Sequence, residues 1–245
     1  MPDLSKRTLL KSAAVAAATL PLMTGAEAKP RADLPKRWNR AADVVVLGYG
    51  GAGACAAITA KDAGADVVIF EKCSEGGGNT AVSSGGMMIP NNRDRAYTYL
   101  AKTYAFANSV MDEELLSAFV DEAMKSKDFL MSLAPDQKLY IYGHAGFQNI
   151  PESDAIDKWR FRTPKGQKTR GGDMLFNNYR YAVETVRKIP VVYNARALEL
   201  ITENDEVLGV WVEINGKKTA VKARRGVVLA TGGFEFDDKM LANHT

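Results

Sequence analysis

One run near the start of the chain limits the fold more than any other. Residues 43–47 read as an apolar strand, Gly48-Tyr49-Gly50-Gly51-Ala52-Gly53 as a glycine turn, and residues 54–60 as a small-residue helix. A second strand, Asp66-Val67-Val68-Ile69-Phe70, then delivers Glu71. Each part has a physical reason. Gly48 permits the tight turn out of the strand, Gly50 lets the backbone approach a pyrophosphate with no Cβ in the way, and Gly53 lets helix and strand pack closely. The pyrophosphate then lies over the helix N-terminus, where unpaired N–H groups and the helix dipole favour an anion. Glu71 stands about 20 residues after the turn, the spacing of a carboxylate that accepts from ribose hydroxyls, and its charge disfavours a 2′-phosphate and hence NADP. A glycine turn alone is weak evidence; strand, turn, helix, strand and acid in this order read as a dinucleotide site.

The first 28 residues are expected to be an export signal and not part of the fold. A basic stretch, Ser5-Lys6-Arg7-Thr8-Leu9-Leu10-Lys11, precedes a mildly apolar, alanine-rich run, and Ala26-Glu27-Ala28 suits a small-residue cleavage site. The basic stretch resembles a twin-arginine signal with Lys6 in place of the first arginine, which leaves the general secretory route open. The run is short and weakly apolar against the ~20 residues of a membrane span, so no stable membrane insertion is expected. The mature protein would start near Lys29 and work outside the cytoplasm, in the periplasm or on the outer face of the cytoplasmic membrane. Residues 29–42 read as a Pro- and charge-rich linker, and residues 43–245 as the folded domain.

With 245 residues, 46% hydrophobic and 25% charged, the chain can bury a core for one domain or one domain and part of another. The net charge of +3 is scattered, and Lys217-Lys218 and Arg224-Arg225 read as solvated faces, so no nucleic-acid partner is expected. Cys55 and Cys73 have neither metal-ligand spacing nor a disulfide framework. Cys55 reads as a small buried residue and Cys73 as a structural loop residue. His144 and His244 are the only histidines, which excludes a histidine metal cluster or a histidine triad within this chain.

Further along, residues 93–133 read as helical, with Leu115, Leu116, Phe119, Val120, Met124, Phe129 and Leu130 at spacings of three and four forming a core face. Asp112-Glu113-Glu114 suits a helix start and Ala134-Pro135 an end. Residues 137–172 lose periodicity and read as a long aromatic loop, which either lines a substrate cavity or packs on the sheet. Residues 173–188 read as a helix and 191–193 as a short strand. Residues 197–202, 207–214 and 219–222 form an antiparallel meander, with Asn215-Gly216 as a hairpin turn. Residues 226–231 form an apolar strand of the kind buried in a parallel sheet, ending in Gly232-Gly233-Phe234.

Together with Glu71-Lys72, Gly77-Gly78-Asn79-Thr80, Ser84-Gly85-Gly86 and Ala230-Thr231-Gly232-Gly233-Phe234, these elements resemble the FAD-dependent oxidoreductase 2 family. These are fumarate reductase/succinate dehydrogenase flavoproteins, in the branch of soluble fumarate, urocanate and methacrylate reductases and 3-ketosteroid dehydrogenases. The resemblance covers residues 43–236. It implies an α/β, Rossmann-like FAD-binding domain with a parallel central sheet, helices on both faces and a small antiparallel β-meander.

By that resemblance Gly48, Gly50, Gly51, Ala52 and Gly53 hold the FAD pyrophosphate and Glu71 the adenosine ribose, with Lys72 also among the cofactor-binding residues. Gly78, Asn79 and Thr80 approach the diphosphate and ribityl region, and Ser84, Gly85 and Gly86 the isoalloxazine. Ala197 meets the adenine through its backbone, and Thr231 and Gly232 close over ribose and pyrophosphate. No histidine adjoins the Gly78-Asn79-Thr80 loop, which implies non-covalent FAD.

The implied activity is reduction of the C=C bond of a small unsaturated carboxylate by hydride from flavin N5. A haem protein on a separate chain is the implied electron donor, since this chain has no Cys-x-x-Cys-His. A dehydrogenase of the 3-ketosteroid type and a non-catalytic nucleotide-binding remnant remain alternatives. In the family, the capping domain, the catalytic arginine and the final flavin-binding glycine segment follow the Ala-Thr-Gly-Gly strand. The chain is therefore expected to be an incomplete N-terminal part with the capping domain absent, no catalytic residue is assigned, and Arg160, Arg162 and Arg170 receive no catalytic role.

Overall fold

A computed structural model describes residues 34–162, 171–234 and 237–244. The expected export signal and Arg170 lie outside the described residues.

The first strand, β1 (Arg40–Leu47), is followed by helix α1 (Gly51–Asp62) and β2 (Val67–Phe70). β1 and β2 pair in parallel with Val44 opposite Val67 and Leu47 opposite Phe70. β1 begins at Arg40, where Arg40–Ala42 pair with Val221–Ala223. Chain order continues with α2 (Gly78–Val82), β3 (Met87–Pro90), α3 (Arg93–Phe106), α4 (Glu113–Leu133), β4 (Leu139–His144), β5 (Ile156–Phe161) and α5 (Gly171–Arg180). A π-helical turn (Tyr181–Val186) then leads to β6 (Val191–Val192), β7 (Ala195–Glu203), β8 (Glu206–Ile214), β9 (Lys217–Leu229) and α6 (Asp238–His244).

The main sheet has the order β6-β2-β1-β9-β8-β7. β6, β2, β1 and β9 run parallel, and β8 and β7 extend the sheet antiparallel. The third meander strand and the apolar strand expected at residues 226–231 are one element, β9. Its first half pairs with β8, its second half with β1, and it ends at Leu229. Leu229 is exposed, so the end of this strand is not covered on both faces as its composition suggested.

Alternation along β1 feeds two cores. Val46 faces a cluster built with Ala54, Ala57 and Ile58 of α1 and Leu175, Phe176 and Tyr179 of α5. Val45 and Leu47 face Val210, Val212, Val221 and Ala223 on the other side. On that side residues of β7 to β9 supply cover among the described residues.

The single helix expected over residues 93–133 is two helices. Asn108 adopts φ 50°, and Asp112 restarts the helix as an N-cap that accepts the Leu115 N–H at 2.9 Å. Leu116, Val120, Leu130 and Leu133 are buried, whereas Leu115, Phe119 and Met124 of the expected core face are exposed. The aromatic loop expected at 137–172 contains β4 and β5, which form a second antiparallel sheet in the order β3-β5-β4. A register shift between Ile141 and Gly143, with Gly143 at φ 155°, breaks the alternation and hides these strands from a periodicity reading. Among the described residues no helix is long and apolar enough to cross a membrane.

Candidate cofactor site

The glycine turn joins the C-terminal ends of three parallel strands. Gly48 N–H donates to the Phe70 carbonyl at 2.8 Å, and Ala230 N–H to the Leu47 carbonyl at 2.8 Å. Gly48 adopts φ 100°, and a Cβ there would lie 2.3 Å from the Ala230 carbonyl oxygen. A Cβ on Gly53 would lie 2.0 Å from the Gly48 carbonyl oxygen. These two glycines are required by the fold. Gly50 is different: its φ is −93°, and a Cβ would meet nothing closer than the Gly77 carbonyl oxygen at 3.6 Å. Neither conformation nor packing demands glycine at this position, which fits a backbone kept bare for a ligand.

Helix α1 starts here with no side-chain cap on Gly50 and no acid in its first turn. Gly51 N–H donates to Thr80 Oγ1 at 3.0 Å, and the first helical hydrogen bond belongs to Ala54. The N–H groups of Ala52 and Gly53 therefore remain for an anion over the helix. The second glycine loop is stitched to the first: Gly77 N–H donates to the Tyr49 carbonyl at 2.7 Å, and Gly50 bridges Gly77. Gly78, Asn79, Ser84 and Gly86 are exposed beside it. Gly85 N–H is taken by Ser83 Oγ at 3.0 Å.

Glu71 is buried at the end of β2. Its Oε2 accepts the Tyr49 N–H at 2.7 Å and its Oε1 the Cys73 N–H at 2.9 Å. A carboxylate oxygen has a second acceptor position, so a ribose hydroxyl can still be taken. Tyr49 is fully buried, and its hydroxyl donates to Glu184 Oε1 at 3.1 Å; Tyr193 donates to the same oxygen at 2.9 Å. Burial first, and then the Glu184 charge, raise the Tyr49 pKa well above its ordinary value. Cys55 donates to Tyr179 Oη at 3.3 Å, and burial raises its pKa.

Next to Glu71 opens a cleft of about 890 Å³ lined by Lys72, Cys73, Asn194, Arg196, Gly232 and Phe234, among others. It lies at the C-terminal ends of β2 and β9, the usual ligand crevice of an open α/β sheet. Gly232 adopts φ 79° and, like Thr231, is exposed. Ala197 packs its side chain toward the β7–β9 core, and its neighbour Arg196 lines the cleft instead. Sequence reading missed Asn194, Arg196 and the Glu184 pair of tyrosine bonds. Asn194 at φ 51° leaves no periodic trace, and the tyrosine bonds reach across 135 and 9 residues. His144 lies apart from this cleft, 3.0 Å from the buried carboxylate of Asp157, as a structural residue.

The family model described as the FAD binding domain matches residues 43–245. The chain belongs to this family. The bare Gly50, the uncapped start of α1, the Glu71 carboxylate and the adjoining cleft fit FAD as the cofactor of this FAD binding domain. NADH:fumarate oxidoreductase of Klebsiella pneumoniae is 29% identical over 211 residues, spanning 82% of this chain and 21% of that protein. 3-Oxosteroid 1-dehydrogenase of Mycobacterium tuberculosis is 25% identical over 275 residues, spanning 81% of this chain and 48% of that protein. The crystal structure of 3-ketosteroid-Δ4-(5α)-dehydrogenase from Rhodococcus jostii superimposes with a TM-score of 0.74 at 29% identity, covering 88% of this chain and 51% of that one. The chain thus spans about half or less of the length of these relatives.

Proposed function

We propose that this FAD binding domain serves an exported FAD-dependent oxidoreductase that reduces the C=C bond of a small unsaturated carboxylate. The observation that carries the cofactor part is the gathering of Gly50, the α1 N-terminus, Glu71 and Thr80 at the ends of β1 and β2. The likeness to a fumarate oxidoreductase supports the substrate class.

The chain's own residues bind and orient. The Ala52 and Gly53 N–H groups would hold the pyrophosphate, with Gly50 keeping the approach open. Glu71 would accept from the ribose, the Lys72–Arg196 cleft would receive the adenosine end, and Gly86 N–H would serve the ring system. When bound, FAD supplies the two-electron hydride chemistry that these residues orient. FAD is held without a covalent bond, since no histidine adjoins Gly78-Asn79-Thr80. Electrons come from a haem protein on a separate chain.

A 3-ketosteroid dehydrogenase is the second reading, favoured by the Rhodococcus structure at a TM-score of 0.74. The test is turnover by the protein expressed from its complete gene. Reduced dye with fumarate, urocanate and acrylate, set against a 3-ketosteroid with an oxidising dye, separates the two. Reduction of at least one acid supports the proposal, and steroid turnover with no acid reduced overturns it. Detection of the mature N-terminus near Lys29 in a periplasmic fraction tests export.

A further inference from the structure

The small β3-β5-β4 sheet has two unlike faces. One packs Ile89 and Phe161, with half-buried Leu139, Met87 and Trp159, into the main core. The other carries Tyr140, Tyr142, Arg160 and Arg162. The Arg160 guanidinium lies 4.5 Å over the Tyr142 ring, and that of Arg162 lies 5.0 Å over Tyr140. Stacking fixes the plane of a guanidinium and leaves its in-plane donors for an acceptor. Arg160 meets no carboxylate and donates no side-chain hydrogen bond among the described residues, and its Nε is buried without a partner. Arg160 as a whole is half-buried, and a buried side-chain donor left without an acceptor is uncommon in proteins.

Its position ties it to the glycine loop. A Cβ on Gly86 would lie 2.2 Å from Tyr142 Oη, so the tyrosine is seated against that glycine. A Cβ on Gly171 would lie 3.2 Å from Arg160 Nε and 1.9 Å from the Ser84 carbonyl oxygen, so Arg160 is held where Ser84 and Gly171 meet.

We propose that Arg160, stacked on Tyr142, is a carboxylate-binding residue at the Ser84–Gly86 loop. It receives the carboxylate of a bound substrate in a planar, two-point contact. This rests on the proposed function in taking the substrate to be a carboxylate and the loop as the side where it meets flavin.

The test is binding, not turnover. Succinate and fumarate are titrated into the oxidised, flavin-loaded protein made from its complete gene, and the dissociation constant is read from the flavin absorbance change. Arg160→Gln is expected to raise it about tenfold to a hundredfold and Arg160→Lys by less, because the charge is kept and the fork is lost. Retained flavin content and an unchanged melting temperature in Arg160→Lys guard against a folding defect. The proposal is overturned if the wild type binds neither acid, if Arg160→Gln changes the constant less than twofold, or if the variant loses only flavin. Failed acid turnover with the expected binding shift would sink the proposed reaction and leave this site standing.

Discussion

Two glycines in one turn do different work, and single substitutions separate them. Gly48→Ala forces a Cβ onto a residue at φ 100° and 2.3 Å from a backbone carbonyl, so it is expected to lower stability by at least about 1–3 kcal/mol. Gly50→Ala adds a Cβ with only ordinary contacts, so the fold should keep its melting temperature while FAD affinity falls about tenfold or more. Thermal melting of the apoprotein with a flavin fluorescence titration checks both. Equal loss of stability in the two variants would mean that Gly50 serves packing alone. The sequence pattern assigns the turn to Gly48, the ligand approach to Gly50 and the close packing to Gly53, and the Cβ distances measure how much the fold itself needs each of them.

The π-helical turn after α5 links the turn to its surroundings. Its Glu184 accepts from Tyr49 inside the glycine turn and from Tyr193 beyond β6, and Arg187 just after it bonds Asp62 of α1 at 2.7 Å. Tyr49 has no exposure to water, so removing its acceptor leaves a buried hydroxyl unpaired. Glu184→Ala is expected to cost about 1–3 kcal/mol in denaturant unfolding, and Tyr49→Phe in the same background should recover part of that loss. Additive losses would show that the two groups do not interact. Nothing in residues 181–186 distinguishes a π turn from the α-helix expected there, because the extra residue per turn is imposed by what packs around it.

Across the whole molecule the shifted groups set a pH window of stability. Burial, ahead of neighbouring charge, raises the pKa values of Tyr49, Tyr179 and Tyr193. A group raised in the folded state contributes fully below its unfolded value, and that contribution is lost as the pH climbs, so stability should decline above about pH 10. The Asp66 N–H and then Arg224 lower Asp43, Arg187 lowers Asp62, and Arg93 lowers Asp121. Their contribution is present above the ordinary carboxylate range and is lost as the pH falls below about 4. Unfolding midpoints measured across pH should show a plateau with both edges, and Tyr49→Phe should soften the alkaline one.

The unit from β1 through the glycine turn and α1 to Glu71 was written in the sequence because each part is specified by near neighbours. The alternation, the glycines and the spacing to the acid are all local. Tertiary structure alone decided the rest. It made one strand, β9, serve both the meander and the parallel sheet, because its two halves pair with different partners. It also brought Arg160 and Tyr142 from β5 and β4 against the Ser84–Gly86 loop, where a bulge had erased their periodicity and the contacts join segments far apart in the chain.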